Sequence, residues 1–110
     1  MQIFINQADI SPVKFKEYEY IPLLTEENGC QAGCRTGLLV YTQVEYIQGG
    51  THEDQEGFYV LEGAGRALVG ESEFPLSPGT CFIVPPGFYH SIKRDISCEY
   101  IKMFFFHAAV

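Results

Sequence analysis

Tryptophan is absent from this 110-residue chain, and positive charge is scarce: seven Lys and Arg stand against fourteen Asp and Glu, giving a formal net charge of −7. The Lys and Arg residues form no cluster, which disfavours a nucleic-acid partner or an anionic membrane surface. No apolar run approaches the roughly 18 residues of a membrane span, and the polar, acidic N-terminus is unlike a signal peptide. These absences predict a cytoplasmic protein that binds neither nucleic acid nor membrane.

Cysteines are few, and the four present suggest little about function. Without an export signal they are expected to be reduced. Cys30 and Cys34 share a glycine-bounded loop, where their spacing would let them bridge or share a soft metal, but a structural zinc site normally needs four ligands. Cys81 and Cys98 lie in predicted strands and are interpreted as small buried apolar residues.

The composition that remains predicts an ordered all-β domain. Hydrophobic residues make up 46% of the chain and aromatic residues 15%, which makes disorder unlikely, and the length suits one domain over residues 1–110. Short β-type segments alternate with glycine and proline turns, which is typical of a sandwich or barrel with very little helix. The main segments are 38–47, 58–61, 66–69, 73–76, 80–84, 89–93 and 97–106, with shorter extended stretches at 2–5 and 17–24.

The most informative stretch is residues 79–90, GTCFIVPPGFYH. A turn ending at Gly79 precedes a short apolar strand, and a second turn at 85–87 precedes an aromatic strand that carries His90 near its start. Because proline presets φ and glycine supplies positive φ, the two turns should fix the strand register and the direction of the His90 ring. His90 is therefore a candidate ligand or acid/base group, although it could also be an ordinary strand histidine.

A second cluster of polar groups lies upstream, in residues 49–63. His52 and Glu56 directly precede the apolar segment 58–61, so that two imidazoles and one carboxylate could meet. His52, Glu56 and His90 would suit a divalent transition metal with open positions, such as Fe(II), Mn(II), Ni(II) or Zn(II).

Together the two stretches resemble the motifs of the cupin family. The second motif, over about 79–94, matches at Gly79, Pro85, Gly87 and His90, and Arg94 stands where the family has Asn. The resemblance implies a small single-domain cupin with the double-stranded β-helix, a jelly-roll barrel.

The first motif, over about 44–63, matches at His52, Glu56 and Gly63 but departs at two positions. Val44 replaces the leading glycine, and Gly50 stands where the family has its first histidine. Cupin metals usually take three histidines and the glutamate, so Gly50 leaves a corner that Tyr46, Gln48, Asp54, a substrate or water could fill. The chain could also have kept the barrel and lost the metal, in which case Glu56 could act as a general base with His90 as its acid partner.

The remaining charged and aromatic candidates are weaker. Glu53, Asp54 and Glu62 are interpreted as solvated turn residues, and His107 as a core or interface histidine. Arg94 could hold a substrate carboxylate but is more simply a surface residue. Phe58, Phe82 and Phe104 are expected to line a mostly apolar pocket.

Two classes of function follow. The first is a metal-dependent enzyme acting on a small organic molecule by oxygenation, decarboxylation or isomerisation, with Glu56 and His90 as catalytic residues. The second is a non-catalytic module that binds or senses a sugar or organic acid.

Residues 58–61 and 103–106 are apolar at consecutive positions, so the outer face of a sheet needs cover, and a homodimer would supply it.

Overall fold

Ten strands arranged in two antiparallel sheets make up the fold in a computed structural model, which describes residues 1–47 and 49–110. The strands are β1 (Val13–Lys14), β2 (Tyr18–Pro22), β3 (Arg35–Tyr41), β4 (Gly49–Gly50), β5 (Gln55–Glu62), β6 (Gly65–Val69), β7 (Ser72–Leu76), β8 (Cys81–Val84), β9 (His90–Arg94) and β10 (Ile101–Ala108). The larger sheet has the order β1-β2-β3-β10-β5-β8 and the smaller one β4-β9-β6-β7. Single 3-10 turns at Gln7–Asp9 and Glu26–Asn28 are the helical elements of the described residues. The predicted all-β jelly-roll architecture is confirmed.

Within the described residues, no helix has the length and apolar character needed to cross a bilayer.

Two glycine turns position the second motif as the sequence predicts. Gly79 has φ 95° and Gly87 has φ 79°, and this left-handed region suits glycine because it has no Cβ. The backbone N–H of Gly87 donates to the carbonyl oxygen of His52 at 2.8 Å. The turn that precedes His90 is therefore tied directly to the loop that carries His52.

Three segments differ from the sequence-based expectations. The strand expected over 38–47 ends at Tyr41, and the buried side chain of Gln43 instead donates to the carbonyl of Ile92. Residues 2–5 form no strand, and the strand expected over 97–106 begins only at Ile101 and continues to Ala108. Local β propensity predicts extended backbone but does not reveal where a strand leaves its sheet.

Alternation along β10 and β5 separates a core face from an outer face. Met103 and Phe105 point into the barrel and are almost fully buried, whereas Phe106 is 40% exposed on the other side. Phe58 and Val60 of β5 are buried in the same way. The core between the sheets consists of Leu39, Phe58, Val60, Ala67, Val69, Leu76, Val84, Ile92, Ile101, Met103 and Phe105.

An apolar patch is left on the outside of the larger sheet. It is formed by Tyr59 and Leu61 of β5, Ile83 of β8 and Phe106 of β10, each at least 40% exposed. We call these four residues the outer patch. In the described residues, nothing covers these side chains enough to bury them.

Candidate metal centre

All three histidines of the chain surround one carboxylate, that of Glu56. Glu56 lies on the inward face of β5 and is buried, and His107 lies opposite it on β10. His90 is the first residue of β9 in the smaller sheet, and His52 lies in the loop that leads into β5. The site therefore spans the space between the two sheets.

Two of the histidines share one oxygen of Glu56. The Nε2 atom of His52 lies 3.1 Å from Oε1 of Glu56, and the Nε2 atom of His90 lies 3.5 Å from the same oxygen. The three donor atoms lie within 4.8 Å of one another. Ligands at about 2.1 Å from one ion, roughly 90 to 110° apart, would be about 3.0 to 3.4 Å from each other. The spacing fits a single divalent metal ion.

The carboxylate of Asp54 fixes the ring of His52. The Nδ1 atom of His52 lies 2.8 Å from Oδ1 of Asp54 and 3.1 Å from the Asp54 carbonyl oxygen. Since both neighbours are acceptors, Nδ1 carries a hydrogen, and a neutral ring then points its Nε2 lone pair at Glu56. The 3.1 Å between Nε2 of His52 and Oε1 of Glu56 matches the separation of two ligands of one ion.

The third histidine lies on the far oxygen of Glu56. The Nε2 atom of His107 is 3.1 Å from Oε2 of Glu56, and its Nδ1 is 2.9 Å from Oδ2 of Asp54. Burial by itself lowers the pKa of His107, but the hydrogen bond and charge of Glu56, with help from Asp54, raise it above its usual value. His107 is thus held as a donor between two carboxylates.

The pKa values of Asp54 and His90 move in the direction that suits a ligand site. Burial works to raise the pKa of Asp54, but the hydrogen bond and charge of His107, together with the charge of His52, lower it overall. Burial lowers the pKa of His90 despite the opposing charge of Glu56. A neutral imidazole is the form that binds a metal.

The corner left by Gly50 is open. Apart from Gly50 and its two chain neighbours, no heavy atom of the described residues lies within 4 Å of the point where a Cβ on Gly50 would stand. Tyr46 donates its hydroxyl to Glu73 and so points elsewhere, Asp54 is engaged with His52 and His107, and Gln48 lies outside the described residues. Among the described side chains, none of those expected to take this corner occupies it.

Two adjoining clefts reach the site. One of about 210 Å³ opens at Gly50 beside His52 and His90, and we call it the glycine cleft. The other, of about 410 Å³, lies against Glu56 and His107, and we call it the aromatic cleft. Tyr18 and Tyr41 line both.

Aromatic rings form most of the wall of the larger cleft. Phe15 and Tyr18 stack with ring centroids 4.6 Å apart and planes at 15°, and Tyr18 and Tyr41 lie 5.6 Å apart. Tyr20 and Phe105 follow at 5.8 Å. Burial, then the charge of Glu56, raises the pKa of Tyr41 far above its usual value, so Tyr41 is a neutral phenol.

Sequence reasoning brought together His52, Glu56 and His90 but misjudged other residues. Asp54 was expected to be a solvated turn residue, yet its carboxylate contacts the rings of both His52 and His107. His107 points inward because it lies on the same face of β10 as Met103 and Phe105. The alternation along this strand is the sequence signal that could have predicted its orientation. Arg35, whose Nη2 lies 3.2 Å from Nε2 of His107, carried no recognisable motif.

Two weaker expectations are corrected, those for Phe104 and Cys81. Phe104 does not line the site, because alternation in β10 turns it outward, where it lies beside Ile3 and Leu24. Cys81 is exposed rather than buried. The guanidinium of Arg94 donates to the carbonyl oxygens of Thr42 at 2.7 Å and of other nearby residues, so it supports a loop.

Cys30 and Cys34 line the same cleft, and both cysteines are free. Partial burial, followed by the hydrogen bond and charge of Cys34, raises the pKa of Cys30. Ala32 at φ 56° and Gly33 at φ 78° curl the loop between them. The expected proximity of the two cysteines is present.

Comparison with known proteins supplies a family and a fold. The family described as the cupin domain matches residues 43–103, more than half of the chain. A search of curated proteins finds no significant match.

Solved structures resemble the fold at low sequence identity. The chain aligns over 96% of its length with a predicted oxalate decarboxylase from Thermotoga maritima, at 17% identity and TM-score 0.81, covering 98% of that protein. It aligns equally with the Fe(II) form of HppE, at 14% identity and TM-score 0.81, but spans only 59% of that chain. The polyketide cyclase RemF from Streptomyces resistomycificus follows at 16% identity and TM-score 0.77, with 94% of this chain and 76% of RemF covered.

Proposed function

Because the chain belongs to the cupin family, we propose that it is a metal-dependent enzyme acting on a small organic molecule, with the metal held by His52, Glu56 and His90. One observation carries the proposal: the Nε2 atoms of His52 and His90 converge on the same oxygen of the buried Glu56, at 3.1 and 3.5 Å. Fixed donors at this spacing between two sheets are a preformed ligand set.

The donor set favours Fe(II) among the four candidate metals. Two histidines and one carboxylate with open positions are the arrangement of non-heme Fe(II) oxygenases, and HppE, which shares the fold, has been solved in an Fe(II) form. When bound, the metal supplies Lewis-acid polarisation of a substrate oxygen or, as Fe(II), one-electron chemistry with dioxygen.

Two further side chains position the ligands. Asp54 accepts from Nδ1 of His52 and so directs its Nε2 inward, while His107 holds the second oxygen of Glu56. Partners of this kind keep metal ligands in their binding geometry. Gly50 leaves space beside the ligands, through which the glycine cleft gives a substrate access.

The catalytic roles divide by position. Glu56 and His90 contact the reacting region directly, Glu56 as a ligand and as the only described carboxylate that lines the aromatic cleft. The neutral phenol of Tyr41, which lines both clefts, can donate a hydrogen bond to a bound oxygen atom. Aromatic walls exclude water from the space beside Glu56.

Elemental analysis of untagged protein purified without chelator tests the metal. The wild type should carry near-stoichiometric metal, and a His52→Ala, His90→Ala double variant should carry none. Glu56→Gln should lose metal, whereas Glu73→Gln, a matched change at a carboxylate on the smaller sheet, should keep it. No binding after reloading with Fe(II), Mn(II), Ni(II) and Zn(II) would contradict the proposal.

The alternative function is a non-catalytic module that binds a sugar or organic acid. The open corner at Gly50 favours it, since one ligand histidine of the family pattern is missing there. A metal-free protein that retains a tightly bound organic molecule through purification would favour this alternative, and Glu56 with His90 would then be an acid/base or binding pair.

A homodimer is the proposed assembly, and the outer patch is its proposed interface. Tyr59, Leu61, Ile83 and Phe106 lie on adjacent strands, with β8 at the edge of the sheet. Burying such an apolar face against a second copy removes it from water.

A further inference from the structure

The aromatic cleft holds one strongly basic side chain, that of Arg35. Arg35 is the first residue of β3, is exposed, and lines the same cleft as Glu56 and His107. Its charge helps to lower the pKa of Asp54, but in the described part of the chain no carboxylate forms an ion pair with its guanidinium.

The contact between Arg35 and His107 uses only a small part of the guanidinium. Nη2 of Arg35 lies 3.2 Å from Nε2 of His107, which is its one side-chain hydrogen-bond partner in the described residues. A guanidinium carries five N–H donors in a planar fork, so donors remain for a molecule in the cleft. An anion on the cleft side of Arg35 would satisfy those donors.

From these contacts we infer that the substrate or ligand is a flat organic carboxylate, whose carboxylate binds Arg35 and whose body lies in the aromatic cleft. The fork of N–H donors on a guanidinium matches a carboxylate in a bidentate pair. One arginine close to the negative Glu56 suits a single negative charge better than a dianion.

The walls of the cleft select the shape of the molecule. Phe15 and Tyr18 stack, Tyr41 lies tilted at 32° beside Tyr18, and Tyr20 and Phe105 continue the aromatic wall. Aromatic faces of this kind favour a planar, unsaturated body over a compact sugar. The cleft volume of about 410 Å³ is within the range that encloses a small organic ligand.

This inference rests on the proposed function, because it places the body of the molecule next to Glu56. Benzoate is the probe, with benzyl alcohol as its uncharged match and cyclohexanecarboxylate as its non-planar match. Binding to the metal-loaded wild type is measured by isothermal titration calorimetry, alongside Arg35→Ala, Arg35→Lys and Arg66→Ala. Arg66 pairs with Glu73 on the smaller sheet, so Arg66→Ala removes the same charge away from the cleft.

Benzoate should bind the wild type and the Arg66→Ala variant alike, and bind Arg35→Ala about ten-fold more weakly or worse, as expected for loss of a charge-assisted pair. Arg35→Lys should recover part of the affinity, and both matched probes should bind more weakly than benzoate. Equal losses in Arg35→Ala and Arg66→Ala, or no preference for benzoate over benzyl alcohol, would overturn the inference.

Failure of this inference can be told apart from failure of the proposed function. Metal content is measured on the same samples, and benzoate binding is repeated with protein stripped of metal. Retained metal with no Arg35-dependent binding refutes the carboxylate site alone. Arg35-dependent binding in a protein that never holds metal supports the carboxylate site and refutes the metalloenzyme.

Discussion

His107 holds the oxygen of Glu56 that faces away from the other two histidines. The two residues are opposite each other in the β5–β10 pair, and Nε2 of His107 is 3.1 Å from Oε2 of Glu56. The two carboxylate oxygens of Glu56 therefore have different surroundings: Oε1 faces His52 and His90, and Oε2 is fixed by a hydrogen bond to His107.

Replacing His107 should weaken metal binding without removing a metal ligand. In His107→Ala the carboxylate of Glu56 loses the hydrogen bond that orients it, so the metal dissociation constant should rise about 10- to 100-fold, measured by competition with a chelator. His107→Gln, which can still donate a hydrogen bond, should recover part of the loss. Unchanged affinity in both variants would show that His107 only fills the core.

Replacing Gly50 with the histidine of the family pattern should strengthen metal binding and leave less room for other ligands on the metal. Gly50 does not have positive φ and has free space around it, so Gly50→His should fold and add a third imidazole ligand. We expect tighter metal binding together with lower turnover or weaker exchange of small anions, because an open position is filled. Gly50→Ala is the control and should match the wild type. Equal metal affinity in Gly50→His and Gly50→Ala would mean that the corner does not point at the ligands.

The outer patch should control the oligomeric state. If the wild type forms the proposed dimer, a charge at Ile83, which is 46% exposed on β8, should convert it to a monomer in Ile83→Glu, measured by sedimentation velocity across a concentration series. Ile96→Glu places the same charge in a loop at a residue that is 86% exposed, and should leave the dimer intact. A wild type that is monomeric at every concentration would contradict the proposed homodimer.

The Cys30 and Cys34 thiols should form an intramolecular disulfide under mild oxidation. Both cysteines line the same cleft, and the raised pKa of Cys30 makes the reaction slow at neutral pH because little thiolate is present. Peptide mapping after treatment with oxidised glutathione should show these two residues joined and Cys81 as a free or glutathione-capped thiol. Cys34→Ser should abolish the cross-link, and a preference for any other pair would contradict the geometry.

The sequence predicts the fold well because strand and turn signals act locally. Positive φ at Gly79 and Gly87 is a requirement that few other residues meet, so the turns around the second motif could be predicted from their glycines. The extent of the first long strand could not be predicted in this way. It ends at Tyr41 because Gln43 turns to the carbonyl of Ile92, a contact between residues 49 positions apart.

The candidate site was predictable where the spacing within the two motifs indicates which residues meet, and not where other tertiary contacts decide. His52, Glu56 and His90 are brought together as expected. Asp54 looks like any acidic turn residue until the loop folds back onto the imidazoles. Arg35 belongs to a strand two removed from β5, so its approach to the site depends on the order of the sheet, which no local pattern encodes.

The position of His90 has a mechanical consequence. Its strand belongs to the four-stranded sheet, whereas Glu56 belongs to the six-stranded one. An ion or molecule bound by both His90 and Glu56 joins the two sheets, so the sheets cannot separate until it dissociates. Ligand binding and separation of the sheets are therefore linked equilibria. A ligand that binds only the packed form raises the free energy needed to separate the sheets.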